Sequence, residues 1–168
     1  DPTQFCFRRC HRAAGDIDGD GLPEIVAANK DGVKPIAFHN DGTLKWLGDT
    51  GSYSGMNGAL HISDLDSDGD LDLVIGDALG ILVNFNDGAG IFGSGDNILG
   101  SSNTGQIALG DLDGDGDLDL VESQSGTPSD DIHVWFNLGA GSFIYSDTLY
   151  DNSSISIALG DVDSDGDL

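Results

Sequence analysis

The sequence predicts an all-β protein built from a repeat of about 48 residues. An acidic segment occurs four times, and its first residue is Asp16, Asp64, Asp111 or Asp161, so successive starts are 48, 47 and 50 residues apart. The acidic segments are separated by short runs of β-branched and aromatic residues bounded by Gly, Asn, Asp and Ser, which is typical of short strands. Long stretches of Ala, Leu, Glu and Lys at helical spacing are absent, which argues against a helical bundle.

Composition excludes several classes of protein. The chain of 168 residues is long enough for a domain with a real core. It has 30 acidic and 6 basic residues, a net charge of −24, and a chain this acidic is repelled by nucleic acid. No apolar run approaches the roughly 20 residues of a membrane span. Eighteen of the 30 acidic residues lie in 16–24, 64–72, 111–119 and 161–168, so the acidity belongs to four sites rather than to a disordered tail.

Each repeat contains four strand-like runs in the same order. The first two flank the acidic segment, and the last two flank a second marker: Asn40-Asp41-Gly42, Asn86-Asp87-Gly88 or Asn137-Leu138-Gly139. Such residues accept positive φ and favour hairpin turns. Four short antiparallel strands per unit predict the blade of a β-propeller, and the chain holds about three and a half blades. The predicted strands are, in order of position in the repeat, 60–62, 107–109 and 157–159; 24–27, 72–75 and 119–121; 36–39, 81–85 and 132–136; and 43–46, 91–92 and 142–145.

The remaining segments divide into loops and an unusual N-terminus. Residues 47–59, 93–105 and 123–130 are rich in Gly, Ser, Asn and Thr and are predicted to be surface loops that carry recognition groups. Residues 1–14 fit the repeat poorly. Their Cys6 and Cys10 leave two alternatives open, a zinc half-site with His11 or a disulfide, and the sequence does not decide their role.

The acidic segments have the pattern of a metal-binding loop. Counted from the first Asp, acids stand at positions 1, 3, 5 and 9 and Gly stands at position 6, while Lys and Arg are absent. Two carboxylates about 5 Å apart repel by roughly 3 kcal/mol at an effective dielectric near 20, and a divalent ion reverses this repulsion. Oxygen-only, carboxylate-rich loops suit a hard cation of the calcium class.

Two alternatives to this metal site stay open. An EF-hand loop needs Glu at position 12 and a following helix. Glu122 meets the first condition in the third loop, whereas Ala27 and Ile75 stand at that position in the first two, and strand-like runs follow every loop. The other alternative is a solvated acidic turn that binds nothing specifically.

Residues 107–121 and 86–92 together resemble FG-GAP/VCBS repeats, which build integrin-α-like β-propellers. The resemblance covers the chain from about Gly15 and implies units of about 15–62, 63–109 and 110–159 with the start of a fourth at 160–168. It implies that each acidic loop joins neighbouring strands of a blade and holds Ca²⁺. The implied ligands are Asp16, Asp18, Asp20, the Leu22 carbonyl and Glu24; Asp64, Asp66, Asp68, the Asp70 carbonyl and Asp72; Asp111, Asp113, Asp115, the Asp117 carbonyl and Asp119; and Asp161, Asp163, Asp165 and the Asp167 carbonyl.

This sequence departs from the family pattern in two places. The first loop has Pro23-Glu24 where the others have Leu-Asp, and the fourth loop stops at Leu168, before its ninth position. The longer Glu24 leads us to expect a looser first site. The family closes rings of about seven blades, so we expect this chain to be a fragment of a longer protein.

Three functions follow from these observations. The first is a non-enzymatic extracellular or cell-surface module in which Ca²⁺ is structural and the partner is a protein or a carbohydrate. The second is part of a calcium-dependent polysaccharide lyase or hydrolase, in which paired carboxylates act as acid and base. The third is a structural spacer. Binding without turnover favours the first function, and activity on acidic polysaccharides that is lost on chelation favours the second.

Overall fold

The computed structural model describes residues 12–28, 35–48, 59–93, 96–98, 104–124, 131–149, 156–164, 166 and 168. In these residues the regular secondary structure is all β, in three four-stranded antiparallel sheets. The predictions of an all-β fold and of four-stranded blades are therefore confirmed. No helix in the described part of the chain is long and apolar enough to cross a membrane. Residues 1–11, with Cys6 and Cys10, lie outside the described residues.

Each sheet is one blade whose strands follow one another in chain order. Blade 1 consists of β1 (Arg12–Gly15), β2 (Glu24–Ala28), β3 (Pro35–Phe38) and β4 (Leu44–Leu47). Blade 2 consists of β5 (Leu60–Ser63), β6 (Asp72–Asp77), β7 (Gly80–Asn84) and β8 (Asp96–Ile98). Blade 3 consists of β9 (Thr104–Gly110), β10 (Asp119–Gln124), β11 (Ile132–Asn137) and β12 (Phe143–Leu149).

The acidic loops join the first two strands of each blade, as the family resemblance implied. Gly15 pairs with Glu24, Ser63 with Asp72 and Gly110 with Asp119, so each loop is the turn of a hairpin. Each blade thus begins one strand before its acidic loop. Residues 12–14 of the unusual N-terminal segment belong to β1, and residues 60–62 pair with β6 of blade 2.

The core lies between neighbouring blades. Successive side chains of a strand point to opposite faces of its sheet. In β6, Leu73 and Ile75 pack with Val26 of blade 1, whereas Val74 packs with Leu120 of blade 3. Every residue of β6 is buried because a blade covers each of its faces. Burying each such side chain contributes about 1.5–3 kcal/mol, so the blades stabilise one another.

Two strand predictions were wrong. Residues 91–92 form only a single bridge, between Asn86 and Phe92, and the fourth strand of blade 2 is β8, which lies inside the predicted 93–105 loop. The turn after Asn86 contains Gly88 and Gly90 at φ of +80° and +72°. This turn is longer than a tight hairpin turn, so the fourth strand of the blade begins further along the chain. The predicted strand 157–159 is not formed, because a strand exists only by pairing and these residues pair with no described neighbour.

Candidate functional site

The residues at positions 1–9 of each repeat form tight loops: loop 1 (16–24), loop 2 (64–72), loop 3 (111–119) and the start of loop 4 (161–168). The first Asp organises the loop by accepting backbone N–H groups. In loop 3, Asp111 accepts from Gly114 at 2.8 Å and from Gly116 at 3.0 Å. The glycine at position 6 adopts φ of +87° to +102° in the four loops, a conformation that other residues rarely adopt. The same acceptor role belongs to Asp16, Asp64 and Asp161.

The carboxylates at positions 3 and 5 each accept the backbone N–H two residues further along. In loop 2, Asp66 accepts from Asp68 at 3.3 Å and Asp68 accepts from Asp70 at 2.9 Å. These short-range bonds turn the backbone, and the carboxylates at positions 1 and 3 come together in all three loops. Three groups of predicted ligands have one oxygen from each residue within 4.8 Å of the others: Asp16, Asp18 and Glu24; Asp64, Asp66 and Asp72; and Asp111, Asp113 and Asp115.

Other predicted ligands lie outside these clusters. Asp20, Asp68 and Asp119 are in their loops but not in the groups of converging oxygens. At position 7, Leu22, Asp70 and Asp117 continue the turn, and Asp117 accepts a hydrogen bond from Ser67 of blade 2 at 3.3 Å. In loop 4, Asp161 and Asp163 are exposed, whereas Asp165 and Asp167 lie outside the described residues.

The acids at position 9 tie the loop to the next hairpin. Asp72 is fully buried and accepts the Leu65 N–H and the Asn86 N–H, each at 2.9 Å. Asp119 is also fully buried and accepts the Leu112 N–H at 2.7 Å and the Asn137 N–H at 2.9 Å. The sequence predicted these carboxylates only as ligands. The structure adds a second role, because each carboxylate holds the start of its own loop and the marker asparagine near the end of the third strand of its blade through hydrogen bonds.

Two asparagines that the sequence assigned only to turns connect neighbouring blades. The side-chain amide of Asn86 donates to the Ile17 carbonyl of loop 1 at 2.8 Å, and that of Asn137 donates to the Leu65 carbonyl of loop 2 at 2.8 Å. Both side chains are buried, whereas Asn40 of the same marker is exposed in a turn. The marker spacing in the sequence pointed to these positions but not to this role.

The carboxylates of loops 2 and 3 carry negative charge with little compensation. Burial raises the pKa of Asp72 to about 6. Partial desolvation, and then the neighbouring Asp68, raise the pKa of Asp66, and desolvation also raises the pKa of Asp113. Among the described residues, no basic side chain lies within ion-pair distance of a carboxylate in either loop. A bound cation would relieve this charge.

Loop 1 differs because basic side chains reach it. The ammonium of Lys45 from β4 forms an ion pair with Asp18 and lies 3.8 Å from Glu24 Oε1, and His39 Nδ1 lies 3.6 Å from that same oxygen. The hydrogen bond from Lys45 holds the pKa of Asp18 below its usual value. The sequence showed no base within the loop; the base comes from a strand 21 residues beyond Glu24.

The structure contradicts the EF-hand alternative. Glu122 lies on strand β10 rather than at the end of a loop that leads into a helix. Its carboxylate accepts a hydrogen bond from the Thr104 hydroxyl at 3.0 Å and contacts His133 Nδ1 at 3.1 Å. Glu122 is therefore engaged with neighbouring strands and is not a ligand of loop 3.

A pocket of 260 Å³ lies between blades 1 and 2. Its walls include Trp46 and Leu47 of β4 and Phe92, and the rings of Trp46 and Phe92 meet edge to face at 5.5 Å. Asn84 lines the pocket as well. The Asn84 side-chain nitrogen and the Trp46 indole nitrogen are buried and have no hydrogen-bond partner among the described residues. The pocket thus has aromatic walls, and two of the residues that line it carry buried N–H groups without partners.

Comparison with known families decides what the repeats are. The FG-GAP-like repeat model matches residues 16–75 and 64–122, which together are more than half of the chain. The chain belongs to the FG-GAP-like repeat family. A search of curated proteins found no match.

Among solved structures, this FG-GAP-like chain is similar to a lectin of Agrocybe aegerita, described for its specific recognition of non-reducing terminal N-acetylglucosamine. The TM-score is 0.53 and the sequence identity is 22%. The match covers 84% of this chain and 38% of the lectin. At this identity the likeness concerns the fold, and it supports the assignment of the three sheets as propeller blades.

The family implies calcium, and the loops fit this ion unequally. Loops 2 and 3 present only oxygen atoms, and Asp64 Oδ1 is buried without a hydrogen-bond partner among the described residues. Hard divalent cations take such oxygens, so Asp64, Asp66 and Asp72 fit Ca²⁺, as do Asp111, Asp113 and Asp115 of loop 3. Loop 1 fits poorly, because Lys45 occupies the carboxylates of Asp18 and Glu24.

Proposed function

We propose that this chain is a calcium-stabilised module of an extracellular or cell-surface protein and that it binds carbohydrate without turnover. The observation that carries the binding part is the pocket between blades 1 and 2 with aromatic residues in its wall. The calcium part is supported by the family and by the converging oxygens of loops 2 and 3. Millimolar extracellular calcium suits sites of modest affinity.

Calcium would act structurally in this module. Each acidic loop is the turn between the first two strands of a blade, so an ion bound there closes that hairpin. An ion present at ten to a hundred times its dissociation constant stabilises the fold by about 1.4–2.7 kcal/mol per site. Chelation therefore lowers the melting temperature of the chain, and added Ca²⁺ restores it.

The pocket has the chemistry that a sugar requires. Sugars place C–H groups against aromatic faces and offer hydroxyl or carbonyl oxygens to N–H donors. A buried donor without a partner costs about 1–3 kcal/mol, so turning the buried Asn84 amide towards an acceptor on the ligand would remove that cost. An acetamido sugar, the kind recognised by the Agrocybe aegerita lectin, combines a carbonyl acceptor with an apolar methyl group. These groups would match Asn84, Trp46 and Phe92.

Residue 84 is an asparagine where blade 3 has a tryptophan, and the smaller side chain leaves space in the pocket. Asn84 pairs with Leu73, the residue after the position 9 acid, and Trp135 holds the corresponding place opposite Leu120 in blade 3. Trp135 is buried in the core between blades 2 and 3, where its large side chain fills space. The smaller Asn84 lines the pocket instead.

The test is calorimetric titration of the 168-residue chain with N-acetylglucosamine in saturating Ca²⁺. We expect saturable binding by the wild type and its loss in Asn84→Leu, which removes the donor and fills the pocket. This variant keeps or raises the melting temperature, because it deletes a buried amide nitrogen without a partner. The control Asn40→Ala changes an exposed turn residue and keeps binding. Absence of wild-type binding, or unchanged binding by Asn84→Leu, would contradict the proposal.

A further inference from the structure

Among the described residues, a basic side chain lies against the carboxylates of loop 1, and none lies against those of loops 2 and 3. Lys45 contacts Asp18 and lies 3.8 Å from Glu24 Oε1. The side chains of Glu24, Lys45 and Asp18 are 1%, 11% and 20% exposed, so these three charged groups are mostly shielded from solvent. Buried pairs of this kind are screened little by salt, and removing one partner leaves the other charge buried and alone.

The neighbouring blade holds Lys45 in this position. Gly90 of blade 2 adopts a φ of +72°, and a Cβ added there would lie 3.3 Å from Lys45 Cε and 3.5 Å from Asp18 Cβ. The side-chain stem of Lys45 therefore passes between loop 1 and the hairpin that follows Asn86. The ammonium is fixed at the loop by packing rather than left free in solvent.

The corresponding place beside loop 2 is filled by an uncharged side chain. Gly141 stands four residues after Asn137, as Gly90 stands four residues after Asn86. A Cβ at Gly141 would meet the ring of Phe85 of blade 2, just as a Cβ at Gly90 would meet Lys45 of blade 1. Blade 1 thus places a cation against the glycine of the next blade, and blade 2 places an aromatic ring there.

We propose that Lys45 is the built-in counter-ion of loop 1 and stands in place of a metal ion, so that blade 1 is closed by an ion pair and does not require calcium. This proposal rests on the proposed function, because it contrasts loop 1 with loops 2 and 3, which are proposed to bind calcium. An ammonium and a divalent ion cannot share the carboxylates of Asp18 and Glu24 without strong repulsion. At about 4 Å and an effective dielectric near 20, that repulsion weakens calcium binding at loop 1 by more than about 100-fold.

The first test counts bound ions by native mass spectrometry at a calcium concentration that saturates loops 2 and 3. Lys45→Met keeps most of the stem and removes the charge. We expect this variant to bind one ion more than the wild type and, in EDTA, to melt at a lower temperature, because Glu24 is left buried without its partner. If Lys45→Met binds no additional ion, the proposal is overturned.

A second comparison keeps the proposal testable if Lys45→Met does not fold. Asp18→Asn and Asp66→Asn change position 3 of loops 1 and 2. We expect Asp18→Asn to bind as many ions as the wild type, and loss of an ion in this variant overturns the proposal. Asp66→Asn is expected to bind one ion fewer. A Lys45→Met chain that gains an ion while Asp66→Asn loses none would uphold the role of Lys45 and refute the calcium role of loop 2.

Discussion

Replacement of Asn137 by alanine tests how neighbouring blades are joined. The Asn137 side chain is fully buried and makes three hydrogen bonds. Its amide nitrogen donates to the Leu65 carbonyl at 2.8 Å and to the Leu118 carbonyl at 3.3 Å, and its oxygen accepts the Gly139 N–H at 3.1 Å. The first bond crosses from blade 3 to loop 2. Alanine removes all three bonds, and the one to the Leu65 carbonyl is buried.

The expected loss can be worked out from these contacts. A typical hydrogen bond contributes about 1 kcal/mol net, and leaving a buried group unsatisfied costs about 1–3 kcal/mol. The 3.3 Å bond to Leu118 is the weakest by distance, so we expect Asn137→Ala to lower the free energy of unfolding by about 2–4 kcal/mol. For a chain of this length that corresponds to a fall in melting temperature of roughly 5–15 °C.

The assay is thermal unfolding in saturating Ca²⁺, followed by calorimetry. Asn40→Ala is the matched control, because Asn40 occupies the same marker in blade 1 but is exposed in a turn. Surface substitutions of this kind change stability by about 0.5 kcal/mol or less. If Asn137→Ala and Asn40→Ala shift the melting temperature equally, the inter-blade bond does not stabilise the fold and the reasoning is refuted.

The other predictions concern pH and a glycine. Because the folded pKa of Asp72, about 6, lies above its unfolded value of 3.8, ionisation of Asp72 alone lowers the stability of the calcium-free chain by at most about 3 kcal/mol as pH rises from about 4 to about 6. Melting curves in EDTA should therefore show higher stability at pH 5 than at pH 7.5, and an opposite slope would contradict this. Gly141→Ala combines a φ of +66° with a clash against Phe85, so it should cost at least about 2 kcal/mol more than Gly42→Ala, which meets open space at a φ of +83°. Chemical denaturation of both variants measures the difference, and equal losses would show that the Phe85 contact is unimportant.

The strands and the acidic loops could be predicted because their signals are local. Short apolar runs such as 72–75 and 119–121 became β6 and β10, and the spacing of Asp64, Asp66 and Asp72 brought their oxygens together. Each of these features depends on residues within nine positions of one another. The turn-forming Gly at position 6 acts over the same short range, so the loop geometry also followed from the sequence.

The features that sequence analysis missed depend on packing between blades. Asn86 and Asn137 reach carbonyl groups 69 and 72 residues away, and the marker pattern made them look equivalent to the exposed Asn40. Lys45 reaches Asp18 from 27 residues away. No local pattern encodes which side chain of one blade meets the loop of another, so these contacts appear only when the three sheets are placed side by side.

The most direct test of the central claim, that loops 2 and 3 bind calcium and thereby stabilise the blades, is calorimetric titration of the chain with Ca²⁺. We predict saturable uptake by the wild type, uptake of one ion fewer by Asp113→Ala in loop 3, and wild-type uptake by Asp147→Ala, which changes an exposed residue of β12. A wild-type chain that takes up no calcium saturably, or equal losses in the two variants, would contradict the claim.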